Sequence, residues 1–207
     1  MSESRTATRA GEAALAALLA RRPAGRQGDL DARLQAGVPA GLVPAAVLVL
    51  LVRGPAYQVV FTKRTEHVLH HKGEVSFAGG GRDAGDADAR ATALREAEEE
   101  LGIAPDAVTV LGELDGLVTV SHFEVTPVVG VIDAGTALRP NPAEVDRVLR
   151  VPLAHLRDPA HWFDAEHRWR GRLYRLRSCR CGEDVIWGAT ARILQNFLAV
   201  VPASLLP

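Results

Sequence analysis

Between Asp88 and Leu101 the chain contains neither proline nor glycine, and alanine, leucine, arginine and glutamate dominate. Such residues lose little freedom in a helix, so the stretch predicts one, stopped at Gly102, where the left-handed conformation that ends helices costs nothing. On a helix advancing about 100° per residue, Glu96, Glu99 and Glu100 fall within an arc of about 100°, and Leu94, Ala97 and Leu101 point to the opposite side. One face must therefore pack while the other gathers carboxylates.

The helix is flanked by β-prone runs. Ala45–Val52, Tyr57–Thr62 and Val75–Phe77 precede it, the first two joined by the turn Arg53-Gly54-Pro55-Ala56. Val108–Leu111, Leu117–Val120 and Phe123–Val131 follow, with Gly116 and Pro127 marking turns, bulges or edges. Further on, Pro152–Leu156 reads as a short helix and Trp162–Leu176 as a pair of strands. Ala189–Val200 reads as a closing amphipathic helix with Ile193, Leu194 and Phe197 on one face. The pattern predicts an α/β fold built on a mixed sheet, with one core, which suits 207 residues. Residues 1–40 are rich in alanine, arginine and glycine, with one helical stretch, Glu12–Arg21, broken by Arg22-Pro23-Ala24-Gly25. They are expected to form an appendage, partly helical or flexible, to a domain spanning 41–207.

Composition excludes several roles. The 24 basic residues nearly cancel the 25 acidic ones, so net charge gives no reason to expect nucleic acid or an anionic membrane as partner. The longest apolar run, Ala45–Val52, falls far short of the roughly 20 residues that span a bilayer. Glu3 and Glu12 interrupt what a secretory leader would need, so a cytoplasmic setting is expected. Cys179 and Cys181 are too few and too close for a disulfide framework or a complete zinc site and are read as ordinary thiols. His67, His70 and His71 cluster without an identifiable fourth ligand and are not read as a zinc site.

Like charges at i,i+3 and i,i+4 cost a few tenths of a kcal/mol per pair, and a divalent cation would offset them. Oxygen-only ligands suit Mg²⁺ or Mn²⁺, which commonly arrive with a substrate phosphate. A solvated acidic face is the ordinary explanation for such glutamates, but the glycine-rich stretch Phe77-Ala78-Gly79-Gly80-Gly81-Arg82-Asp83-Ala84-Gly85-Asp86 lies just upstream. It is read as a special loop whose backbone approaches a metal or phosphate closely.

Arg95-Glu96-Ala97-Glu98-Glu99-Glu100-Leu101-Gly102-Ile103 resembles the second half of the signature box of Nudix hydrolases. In the first half, one extra residue before Arg95 puts Gly80 and Asp86 in the glycine and acidic positions. The resemblance implies an α/β/α sandwich around a mixed sheet and hydrolysis of a diphosphate held by divalent metal, Mg²⁺ or Mn²⁺. Carried over residue by residue, it makes Glu96, Glu99, Glu100 and the Gly80 carbonyl candidate metal ligands and Arg95 the residue that orients the carboxylates. Phe61-Thr62-Lys63-Arg64-Thr65, His71-Lys72-Gly73-Glu74-Val75-Ser76-Phe77-Ala78-Gly79-Gly80, Thr92–Glu96 and Ile186–Leu194 further resemble the coenzyme A diphosphatases, a likeness running from about Val43 to Leu198. Thr65, Glu74 and Ala78 stand where that subgroup has Ser, Gln and Pro. The implied substrate is coenzyme A or an acyl derivative, giving 3′,5′-ADP and 4′-phosphopantetheine, with Arg64, His71, Gly79 and Gly80 toward the substrate. Glu99 and Glu144, the latter in the loop Asn141-Pro142-Ala143-Glu144-Val145, compete for the role of general base.

Two other readings stay open. One is hydrolysis of another nucleoside diphosphate derivative, such as a dinucleotide or nucleotide sugar. The other is a non-catalytic RNA- or protein-binding module using Arg168, Arg170, Arg172, Arg175, Arg177 and Arg180, which interleave with Trp169 and Tyr174; a charge-defended edge strand explains the same stretch. Trp187 is read as packing, and a homodimer is left open.

Overall fold

A computed structural model of the chain describes residues 2–22, 25–28, 41–65, 73–119, 121–169 and 171–206. At its centre is strand β2 (Val43–Val52), whose run of Val, Leu and Ala suits a strand covered on both faces. Along its whole length β2 pairs in parallel with β8 (Phe123–Ile132). Its other edge is divided: the end pairs with β3 (Gln58–Arg64) through Leu50↔Val60, and the start with β5 (Ala78–Gly81) through Ala46↔Gly80. Beyond β3 lie β4 (Val75–Ser76) and β9 (Val145–Pro152); beyond β8 lie β6 (Thr109–Glu113) and β7 (Gly116–Val118), with β1 (Arg26–Gly28) parallel to β7. A second sheet is antiparallel, in the order β10 (Trp162–Trp169), β11 (Arg172–Cys181), β12 (Asp184–Ile186). Asp184 ties it to the first, accepting from Lys63 Nζ at 3.0 Å and Arg147 Nη2 at 2.6 Å.

Strand alternation splits the core in two. Ala46, Leu48, Leu50 and Val52 pack with Ala93, Ala97 and Leu101 of helix α2 (Ala89–Leu101). Ala45, Val49 and Leu51 face the other way, onto Leu15 and Leu19 of α1 (Ser2–Arg21), Leu156 of α3 (Leu153–Arg157) and Phe197 of α4 (Gly188–Val200). The result is an α/β fold on a mixed sheet, as the sequence pattern predicts, arranged as the helix/sheet/helix sandwich that the resemblance implies. Among the described residues no helix is long and apolar enough to cross a membrane.

In three places the structure adds to the sequence reading. The first helix is no appendage: Leu15 and Leu19 are buried in the core, and Glu12, only 5% exposed, accepts from Arg53 Nε at 2.7 Å, Arg53 Nη2 at 2.9 Å and Tyr57 Oη at 2.8 Å. That ion pair docks the helix, and it joins residues too far apart in sequence for local pattern to show. We expect Glu12→Gln to cost about 1–3 kcal/mol, since it leaves buried donors poorly met, and a thermal melt will register the loss. Strand β9 was not foreseen, because its alternation runs through Asp146, Arg147 and Arg150. The tri-glycine stretch, expected as a loop, is a strand.

Candidate active site

Helix α2 is placed by its ends. Asp88 caps it, accepting from the Ala91 N–H at 2.9 Å, and Gly102 closes it at φ 64°, its own N–H bonding the Ala97 and Glu98 carbonyls. Beneath it, the glycines of β5 serve closeness rather than unusual dihedrals, since none of the three has positive φ. A Cβ on Gly79 would collide with the Ala46 carbonyl and lie 2.7 Å from Val47 Cα; one on Gly80 would lie 2.7 Å from the Glu96 carboxylate carbon. The two positions therefore predict different failures. Gly79→Ala should destabilise the fold, as backbone cannot give way, whereas Gly80→Ala should leave the melt nearly unchanged and cut turnover by displacing Glu96; melts beside steady-state rates distinguish them.

The ladder also decides which peptide groups face the helix. Arg82 N–H donates to the Pro44 carbonyl at 2.9 Å, so with the observed register the Gly80 peptide groups point at Ala46 and those of Gly79 and Gly81 point away from β2. Accordingly the Gly79 N–H lies 3.5 Å from Glu100 Oε1, and the Gly81 carbonyl accepts from Arg95 Nη2 at 2.9 Å. In this register the oxygen of Gly80, the candidate carbonyl ligand, is directed at Ala46 within the sheet, and the Gly79 peptide lies on the edge that faces Glu100. The same phase makes Leu48↔Ala78 a hydrogen-bonded pair, which a proline at 78 would break.

Arg95 organises the carboxylates. Its guanidinium reaches Glu96 at 2.9 Å, Glu99 at 3.2 Å and Asp86 at 3.1 Å. Asp86 also accepts from the Asp83 N–H, and the Arg95 guanidinium followed by that N–H holds its carboxyl down to about 2. The acidic residue at this position is therefore a fixed partner for Arg95. Glu99 is half exposed, its side chain 53% accessible. Glu100 is not on an open face as the helical arc suggested: it is 2% exposed, because it points between α2 and β3. Its contacts are long, 3.5 Å to Thr62 Oγ1 and to the Gly79 N–H and 3.8 Å to Arg64 Nη1. Burial pushes its carboxyl up to about 7 against the opposing pull of Arg64, and the charges of Glu96 and Glu144 add to the rise. Burial also raises Glu96, with Arg95 opposing and Glu99 and Glu144 contributing.

Glu144 is thereby part of the same electrostatic cluster, although it comes from a distant loop. Its carbonyl accepts from the Thr65 N–H at 2.9 Å, and Thr65 Oγ1 lies 3.4 Å from the Ala143 carbonyl, fastening this turn to the end of β3. Arg64 stands at the same end, its Nε buried and without a partner among the described residues. Glu74 lies near His167, whose pKa its charge raises against the stronger lowering by burial. His71, with His67 and His70, lies outside the described residues.

Among the described residues no three His, Cys, Asp or Glu side chains are gathered at metal-holding distances. Arg95 draws Glu96 and Glu99 to itself, and like charges keep carboxylates apart. The donor chemistry nevertheless fits a hard divalent cation: the site is all oxygen, and Glu100 is a buried anion with only distant compensation. Glu96, Glu99, Glu100 and the Gly79 carbonyl are the groups that would hold it.

The arginine stretch is less basic than its sequence. Across β10 and β11 Asp164 faces Arg177 and Glu166 faces Arg175, and Asp164 lies 3.5 Å from Arg177 and 3.8 Å from Arg175. Arg170 lies outside the described residues. Cys179 and Cys181 are free thiols buried in the core, and Trp187 stacks on His167 at 4.4 Å.

The NUDIX domain family model matches residues 42–169. An uncharacterized Nudix hydrolase, NudL, of Salmonella paratyphi B is 39% identical over 152 residues, 73% of this chain and 79% of that protein, and its Salmonella newport counterpart matches equally. A solved MutT/nudix family protein from Enterococcus faecalis shares the fold with a TM-score of 0.50 at 16% identity, covering 79% of this chain and 63% of its own. Arg95 and the glutamates around it lie inside the matched region, and with relatives of this closeness the chain belongs to the Nudix family, as a hydrolase of phosphorus-containing anhydrides.

Proposed function

We propose that the chain hydrolyses the diphosphate bond of coenzyme A or an acyl derivative, with Mg²⁺ or Mn²⁺, releasing 3′,5′-ADP and 4′-phosphopantetheine in the cytoplasm. The observation that carries the chemistry is the under-compensated Glu100 carboxylate beside Glu96 and Glu144. The substrate rests on the resemblance of Phe61–Thr65 and Gly73–Gly80 to the coenzyme A diphosphatase signature. Arg64 supports it too, as a cation at the rim of the carboxylates whose Nε has no partner among the described residues and suits a phosphate oxygen.

A divalent cation at this site supplies charge neutralisation for the diphosphate. The chain's own residues do the rest. Arg95, anchored on Asp86 and the Gly81 carbonyl, holds Glu96 and Glu99 in place. Glu99, half exposed and bonded to Arg95, is our first choice to take the proton from the attacking water; Glu144 is the rival base. Water adds to one phosphorus in line with the bridging oxygen, which departs with the other phosphate. Arg64, the β5 backbone and His71 are assigned to the substrate.

The test is product chromatography after incubating wild type and Glu99→Gln with Mg²⁺ or Mn²⁺ and a panel of coenzyme A, dinucleotides and nucleotide sugars. Release of 3′,5′-ADP by wild type, lost in the variant, is expected. Preference for a dinucleotide or nucleotide sugar would keep the chemistry and overturn the substrate; no turnover of any would favour the binding module.

A further inference from the structure

On the layer opposite α2, a cleft of about 370 Å³ opens among α3, β10, β11 and α4, lined by Leu156, Arg157, Trp162, Arg177, Gln195 and Leu198. Leu156 is fully buried in the core that contains α1 and α4, with Trp162 and Leu198 packed against it, so the sheet separates this cleft from the carboxylates. Its apolar wall is firm: Trp162 Nε1 donates to the Leu156 carbonyl at 2.8 Å, fixing the indole.

Arg157 is the anomaly in this wall. Its Nη2 donates to the Val201 carbonyl at the end of α4 at 2.8 Å, but its Nε is buried with no partner among the described residues. No carboxylate pairs with it among the described residues, and burial lowers its pKa with no anion working in the other direction. A part-buried guanidinium against apolar groups carries a desolvation cost that an anion would remove. Arg177, the other cation of the cleft, is already 3.5 Å from Asp164. One uncompensated charge matches a monoanion better than a phosphate dianion, and the leucine and tryptophan surface calls for an apolar body behind it.

We propose that this cleft binds a small amphipathic carboxylate, its acid group on Arg157 and its apolar body against Trp162 and Leu198. The site is independent of the diphosphatase reading. The experiment is calorimetric titration of the full chain with octanoate, octanol and inorganic phosphate, with the Trp162 indole N–H followed by NMR. Octanoate should bind saturably and shift that resonance, with octanol and phosphate about tenfold weaker or worse, and Arg157→Gln should weaken octanoate by about tenfold or more. Because Arg157 also holds the Val201 carbonyl, Gln195→Glu is the second variant: it leaves that bond in place, sets a negative charge in the cleft, and should weaken octanoate similarly without lowering the melting temperature. Equal binding of octanol, tighter binding of phosphate, no saturable octanoate binding, or octanoate affinity untouched by both variants would each overturn the proposal.

Discussion

Glu100→Gln is expected to abolish most turnover while making the metal-free protein more stable above neutral pH. The Glu100 carboxyl titrates near 4.5 when exposed and is pushed up to about 7 in the fold, chiefly by burial. Between those values the folded chain binds the extra proton, so the contribution of this group to stability is complete below about 4.5 and is lost as pH rises through about 7. Above that the penalty is on the order of 3 kcal/mol, and the neutral amide does not incur it. Melts in EDTA should therefore coincide for wild type and variant near pH 4.5 and separate by several degrees, variant higher, at pH 8. Activity should move the other way, by about a hundredfold or more, because the neutral amide would hold less firmly the cation that meets the charge of the diphosphate. A variant less stable than wild type at pH 8 would mean that the fold already satisfies the Glu100 charge.

Arg95→Gln is expected to lose both stability and activity, and Arg95→Lys to rescue neither fully. One planar guanidinium serves Asp86, Glu96, Glu99 and the Gly81 carbonyl together, a pattern that a point-like ammonium cannot reproduce. Each buried acceptor left unmet costs about 1–3 kcal/mol. The acid limb offers a separate check. Asp86 is held down to about 2 from its ordinary 3.8, so its contribution is present above the higher value and disappears as pH falls toward the lower. Without Arg95 that loss of stability between about pH 4 and 2 should flatten, which chemical denaturation across the range will measure.

How much of this was legible depended on whether the physics was local. The helix carrying the glutamates, its Gly102 stop, the strands around Val49 and Val129 and the closing helix at Phe197 follow from composition and period alone. Arg95 as an organiser of carboxylates follows from its chemistry. What escaped was set by third parties. Glu100 looks exposed on a helical wheel and is buried because β3 rises beside it. Gly79 and Gly80 look like a turn and are a strand, because their demand is for absent side chains, which a sequence shows no differently from a demand for odd dihedrals. Strand β9 hid behind Asp146, Arg147 and Arg150, whose outward placement only the neighbouring strand reveals. Glu12 was counted against an export signal, when its meaning lay with Arg53 and Tyr57.

The docking of α1 has a consequence for the order of events during synthesis. The helix leaves the ribosome before the surfaces that bury Leu15 and Leu19, which belong to strands and helices made later, up to Phe197. Even its ion pair must wait for Arg53. This helix is thus among the last parts to find its place, and until the segment around Phe197 is made its apolar stripe waits for its counterpart, a natural target for the chaperones that meet nascent chains.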